Sequence, residues 1–382
     1  MPQKIKKTPV PQLDLKGKAL EKAANILLKA SNAGSVSLTG MLSGGVVSEV
    51  YDGIYTDTQG ELHHVAVKRT FENIELGNNF TIVEQQDFLP NAAKTHDLDV
   101  EIQKHLQSKV KTPRVIQHFS DEKITVMHNF ASEGFSNLQE EIVEGRLTLD
   151  SAAKIGTILA QTRLAMHSIK NKVTQVEKTD AQFMQRFAEL LIILYDKRQE
   201  IGQMITYDFI SHAEKTFVWT DGHPKNMAID KTGEIMVFDF GRSIVCDPEY
   251  ALPNFLGQIY LFILAGTLET QFGITYIKNC MKAYEKAINI GSKKPYVIDQ
   301  RRFVNYATAE LLHRGLAMRW ISYTKKKEDN KDMAIKNACM HFGNIVFGKE
   351  MNKINLKKHL ELLAKVTDLV KKGEYDVPEI RV

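Results

Sequence analysis

The chain reads as an α+β protein in two parts, a small sheet-rich part followed by a larger helical one, and three observations predict it. Residues 36–68 and 115–130 carry short runs of strand-forming residues broken by glycines and turn residues, the composition of consecutive strands. From about residue 137 the character is helical almost throughout. One interruption breaks the helical half: apolar runs at 227–229 and 235–238 flank the turn-forming DKTGE, which predicts a β-hairpin. The expected organisation is a tail and helix over 1–35, a sheet-rich part with one helix over 36–130, and a helical part over 131–382.

Taken in order, MPQKIKKTPVPQ has lysines but no following apolar core, so it predicts a loose basic tail rather than a signal peptide. Residues 14–31 place Leu15, Ala19, Leu20, Ala23, Leu27 and Ala30 at helical spacing. SVSLTG, SEVYDGIY and HHVAVKRT predict three strands, and VIQHF and KITVMHNF two more, with SDE as the turn between them. Residues 71–95 are polar and irregular, a long loop or insertion, and DLDVEIQKHL predicts a helix. Residues 149–168 and 181–197 are amphipathic helical runs bracketing KNKVTQVEKTD. DPEYAL predicts a helix start: Asp247 can cap, Pro248 fits the first turn, and Glu249 suits its positive end. Four or so further helices fill 255–372.

Composition bounds the function. At 382 residues, 43% hydrophobic and 25% charged, the chain is ordinary globular protein with enough length for more than one core. A net charge of +4 is small for this length, and no nucleic acid partner is expected. Cys246, Cys280 and Cys339 are odd in number and far apart, which argues against a disulfide framework or metal cluster and for reduced thiols in a reducing compartment. No run reaches the roughly 20 apolar residues of a membrane span. A cytoplasmic or otherwise soluble protein is expected.

The hairpin carries the chemistry. If it closes on Thr232 and Gly233, Asn226 faces Asp239, and their oxygens stand on Cβ atoms roughly 5 Å apart, a span suited to one hard cation. A three-residue loop through Gly233 would shift the pairing by one.

A five-strand lobe followed by a helical lobe containing D-x-x-x-x-N (Asp221, Asn226) and D-F-G (from Asp239) resembles the protein-kinase-like superfamily. That likeness implies a bilobal protein-kinase-like fold with a small β-rich N-lobe and a larger helical C-lobe. LSGGVVSEVY sits where that family has its glycine-rich loop: Ser43, Gly45 and Ser48 occupy the three glycine positions, with Gly44 adjacent. A dinucleotide-binding loop is excluded, because that loop opens a helix and this one runs into a strand. VAVK looks like the strand whose lysine, here Lys68, contacts the α- and β-phosphates. Its helix partner would be Glu101, with Asp99 as runner-up. D-x-H-x-x-N, with His223, resembles the aminoglycoside phosphotransferase and choline kinase branch and the ubiquinone-biosynthesis atypical kinases, and DPEYAL is similar to the D-P-x-Y-x-L of the first of these.

By that resemblance Asp221 orients or deprotonates an acceptor hydroxyl, Asn226 and Asp239 bind Mg2+, and ATP is the donor. Three departures stand out: Trp219 replaces the usual histidine, Lys225 replaces a common glycine, and no A-P-E follows Arg242, so no phosphorylation-regulated activation segment is expected. The implied activity is Mg-ATP-dependent phosphotransfer to a hydroxyl, leaning slightly to protein serine or threonine, with an aminoglycoside or choline-like alcohol as alternative. A nucleotide-binding pseudokinase is the rival from another class. Sequences of this mixed kind also resemble kinases that bacterial pathogens deliver into host cells, although no residue shows delivery.

Other features are read blandly. His223 is expected to bond loop backbone, His167 to be structural, and His63 and His64 to mark an exposed strand end. Residues 291–327 hold nine Lys and Arg against only Asp299 and Glu310. They predict a solvated face with a Glu310–Arg314 helical salt bridge, or a site for an anionic partner such as an inositol phosphate, acidic lipid or acidic substrate.

Overall fold

In the computed structural model the five expected strands form one antiparallel sheet. The structure describes residues 35–44, 48–56, 59–70, 92–121, 123–173, 215–290, 294–317, 329–347 and 355–372. The expected helices over 14–31 and 181–197 lie outside them. Two compact units divide the chain, residues 1–75 with 115–129, and residues 76–114 with 130–382.

The first unit is the sheet, β1 (Ser35–Gly44), β2 (Ser48–Thr56), β3 (Leu62–Thr70), β4 (Val115–Phe119) and β5 (Ile124–His128), in the order β1-β2-β3-β5-β4. Because side chains alternate along a strand, Val65 and Val67 of VAVK join Tyr51, Ile124 and Val126 in a buried cluster on one face. Ala66 and Lys68 are thereby committed to the other face. Lys68 pairs with Val50 on one side and Thr125 on the other, and Val50 pairs with Ser43. The end of β1 and the lysine therefore lie in one cross-strand row.

The second unit begins with α1 (Ala92–Leu106), the helix expected over 97–106. Its buried Ile102 and Leu106, with Val110, join the large helical core, and Gln103 donates to the Pro113 carbonyl at 2.7 Å. Then follow β6 (Ser136–Asn137), α2 (Leu138–Val143) and α3 (Leu149–Ile169), with Thr148 capping α3 by accepting from Ser151 N–H. His167 near its end meets Thr216 at 2.7 Å, the structural contact expected of it.

Strands β7 (Thr216–Trp219) and β10 (Ser243–Cys246) pair with each other, and β8 (Met227–Ile229) and β9 (Ile235–Val237) pair beside β6. DPEYAL starts helix as expected: the Asp247 carboxylate accepts from Glu249 N–H at 2.9 Å, and a 3-10 turn over Pro248–Tyr250 leads into α4 (Ala251–Leu264). All fourteen residues of α4 are buried, as expected of a helix that is apolar nearly all round. Around it pack α5 (Thr270–Ile288), α6 (Gln300–Leu312), α7 (Asp329–Val346) and α8 (Leu356–Lys371). Cys246, Cys280 and Cys339 are buried free thiols. No helix among the described residues is long and apolar enough to cross a membrane.

Candidate active site

The hairpin closes differently from the first of its two expected registers. Met227 pairs with Val237 and Ile229 with Ile235, so the loop is the three residues 231–233 and the pairing is shifted by one. The cause is local. Asp230 accepts at one carboxylate oxygen from Thr232 N–H, Thr232 hydroxyl and Glu234 N–H, and Gly233 takes the left-handed φ of 78°. That left-handed glycine closing a three-residue loop favours the bulged turn over the two-residue one. Asn226 therefore stands across from Phe238, whose N–H donates to the Asn226 carbonyl at 3.1 Å. The facing-pair argument for Asn226 and Asp239 is corrected accordingly.

Asp239 follows with φ 64°, a conformation that costs an ordinary L-residue energy and persists only where its surroundings impose it. Two contacts bracket the strained peptide. The Trp219 indole N–H donates to the Asp239 carbonyl at 2.9 Å, and the Phe240 N–H donates to Asp99 Oδ1 at 2.7 Å. Trp219 also packs on Phe240, with ring centroids 5.1 Å apart. The tryptophan that departs from the family pattern thus holds the D-F-G backbone. Asp99, the runner-up for the α1 carboxylate, is buried and spent on that same backbone, while Glu101 is half-buried on α1.

Between β7 and β8 the chain makes a tight turn that gathers Asp221, His223 and Asn226. His223 N–H donates to the Asp221 carbonyl and Asn226 N–H to the His223 carbonyl, both at 2.9 Å. The Asn226 amide nitrogen donates to the Asp221 carbonyl at 2.9 Å and to its carboxylate at 3.3 Å. Both contacts use Nδ2, so Oδ1 is the atom left for other partners. Its oxygen and the Asp239 carboxylate are the hard donors that suit Mg2+.

Asp221 has a partner the sequence did not announce. Arg314 lies on a π-helical turn, His313–Ala317, that continues α6, and donates from Nη2 to Asp221 Oδ1 at 2.9 Å. Its Nε donates to Glu310 at 2.6 Å. Burial alone would raise the Asp221 pKa, but His223, Arg314 and Arg242 outweigh it and hold the carboxyl well below the usual carboxylate range. Burial pushes His223 down from its ordinary value, which favours the neutral ring. His223 does not bond loop backbone as expected: its Nε2 stands 3.5 Å from Asp221 Oδ1 and its buried Nδ1 has no partner among the described residues.

In the first unit, Ser43 and Gly44 end β1, Ser48 opens β2, and half-buried Lys68 sits two strands from Ser43. Gly45 falls outside the described residues. The basic segment loses part of its free charge. Arg302 donates to Asp247 and Asp299, and the Glu310–Arg314 pair exists but is buried rather than solvated. Lys325, Lys326 and Lys327 lie outside the described residues. The available signal for a buried pair was its setting, YATAELLHRGLAM, where the two charges are flanked by apolar residues.

No family model matches the chain, and no curated protein matches it. Among solved structures it is similar to an ethanolamine kinase from Plasmodium vivax, with a TM-score of 0.51 and 11% identity over 85% of this chain and 89% of that one. A choline kinase from Streptococcus pneumoniae gives 0.41 and 13% over 93% and 99%. A macrolide 2'-phosphotransferase from Brachybacterium faecium gives 0.46 and 11% over 92% and 98%. The fold is protein-kinase-like, a sheet unit and a mostly helical unit.

Proposed function

We propose that the chain is a Mg-ATP-dependent phosphotransferase that moves the γ-phosphoryl group to a hydroxyl. The observation that carries the reading is the turn that ties Asn226 to Asp221 through one side of its amide and leaves the other side as an oxygen donor. Asp239, in its imposed left-handed backbone, supplies the second hard ligand. A bound magnesium ion would neutralise phosphate charge, which is most of what phosphoryl transfer needs besides positioning.

The remaining roles follow the chemistry of the side chains. Lys68 holds the α- and β-phosphates, and Ser43, Gly44, Gly45 and Ser48 form the loop over them. Asp221, kept ionised beside Arg314, is a weak base. Its contribution is to orient the acceptor hydroxyl, a matter of proximity more than of proton abstraction. The likeness to an ethanolamine kinase, a fold-level analogy, favours a small alcohol over a protein side chain, and the slight lean to protein serine or threonine is given up.

A panel of ethanolamine, choline, aminoglycosides and a serine- and threonine-containing protein mixture, with labelled ATP and Mg2+, tests the acceptor. Label on a small alcohol is the expected outcome, and label confined to protein would reverse the choice. The serines in the phosphate loop favour one second reading, a pseudokinase. Nucleotide binding without transfer to any acceptor or to water would establish it.

A further inference from the structure

Removing Arg314 from the charge count of a basic segment changes what the segment is for. The guanidinium is 4% exposed and bridges two carboxylates, Glu310 on α6 and Asp221 on the β7–β8 turn. Glu310 is itself fixed from three sides. Tyr250, from the DPEY motif, donates to Oε2 at 3.1 Å, Gln258 of α4 donates to Oε1 at 3.1 Å, and Arg314 donates at 2.6 Å.

Two glycines make this placement possible. A methyl group at Gly257 would come within 2.7 Å of the Ala307 carbonyl and 2.9 Å of Glu310, so α4 and α6 touch there backbone to backbone. A methyl group at Gly315 would come within 2.6 Å of Cys339 Sγ and 3.1 Å of Leu261, so the π turn is pressed between α7 and α4. Single π turns inside helices recur at functional sites because they re-aim one side chain, and here the re-aimed side chain reaches Asp221.

We infer that Arg314 is a positioning residue for phosphotransfer: the chain Tyr250–Glu310–Arg314 fixes the Asp221 carboxylate in the orientation that meets the acceptor. This rests on the phosphotransfer reading. Arg314 acts through Asp221 and Glu310, the carboxylates it bridges, rather than on donor or acceptor. The DPEY motif thereby acquires a task beyond starting a helix, since its tyrosine anchors the carboxylate that aims the arginine.

The test uses the full chain. Arg314→Met is combined with Glu310→Gln so that the Glu310 charge is not left buried without its cation, and Arg314→Lys and Arg314→Ala are made alongside. Mg-ATP turnover with water as acceptor is followed in all of them. The expected result for the double variant is a kcat lower by about tenfold or more with the KM for ATP within about twofold, the signature of an interaction that matters after binding. Guanidinium ion is expected to restore part of the turnover of Arg314→Ala, and Arg314→Lys to restore less, because an ammonium cannot span both carboxylates. A folded double variant with wild-type kcat, while Asp221→Asn is inactive, would overturn the inference and leave the phosphotransfer reading standing.

A readout independent of activity separates the two failures. The His223 and Asn226 amides are hydrogen-bonded within the turn, so their hydrogen exchange reports its fixation. Faster exchange there by about tenfold in the double variant, with α3 unchanged, is the expected outcome. Unchanged exchange overturns the inference even in a protein that turns over no ATP.

Discussion

Two aspartates in the helical unit sit in similar company and are used differently. Asp247 is fully buried and accepts from Glu249 N–H, from Arg302 at both oxygens, and from the Tyr306 hydroxyl. Asp221 also meets an arginine, but its side chain retains 14% exposure, and beside it stands an asparagine with an uncommitted amide face. A carboxylate whose lone pairs are all spent on its own fold can do nothing else. Asp221 takes Arg314 at Oδ1 and a long 3.3 Å contact from Asn226 at Oδ2, and its partial exposure leaves it within reach of a ligand. The comparison separates a structural ion pair from a candidate catalytic one without appeal to motif.

The largest effect should come from breaking the saturated network. Asp247→Ala removes a helix cap, one of the two carboxylates paired with Arg302 and the acceptor of the Tyr306 hydroxyl, and a loss of about 3–5 kcal/mol in urea unfolding is expected. A loss under about 1 kcal/mol would undo the contrast. Asp221→Asn should behave in the opposite manner. Turnover is expected to fall by roughly a hundredfold or more, while stability drops by only about 1–2 kcal/mol because Arg314 keeps Glu310. A variant that unfolds as readily as Asp247→Ala would place Asp221 with the structural pair.

Trp219→Phe keeps the packing on Phe240 and deletes the bond to the Asp239 carbonyl. A destabilisation of about 1 kcal/mol is expected, with weaker Mg-ATP binding because the left-handed Asp239 is less firmly imposed. Unchanged binding would show that Asp99 alone suffices.

His359 sharpens the comparison from the uncharged side. Burial drives its pKa down to about 3, and its ring meets Thr308 rather than a carboxylate. An unfolded histidine titrates near pH 6.5. The unfolded chain therefore binds the extra proton between about pH 6.5 and 3, and stability falls with acid in that window by up to about 1.4 kcal/mol per pH unit. His359→Gln should flatten that limb of the stability profile. An unaltered limb would assign the acid sensitivity to other groups.

How much was legible follows from the range of the interactions. The five strands were readable because alternation along HHVAVKRT fixes which side chains face the core, and so commits Lys68 to the opposite face. The helix start at DPEYAL was readable because its cap is two residues long. The hairpin offered two registers, and the decision lay in Asp230 gathering three donors and Gly233 turning left-handed, contacts that no apolar pattern encodes. The Trp219 indole reaching Asp239 and the Arg314 guanidinium reaching Asp221 join residues 20 and 93 positions apart. Such pairings depend on how β7 is laid against β10 and how α6 is pressed onto α4, so one sequence carries their ingredients but not their meeting. The Glu310–Arg314 spacing was visible, and the apolar setting YATAELLHRGLAM was the signal for its burial.

As proposed, Asp239 and Asn226 would hold the magnesium of a bound ATP for transfer. Transfer of label from γ-labelled ATP in the presence of Mg2+, compared between the native chain and Asp239→Ala, tests it most directly. The native chain is expected to transfer label to an acceptor or to water, and the variant to be slower by roughly a hundredfold or more. Equal transfer by both would contradict it.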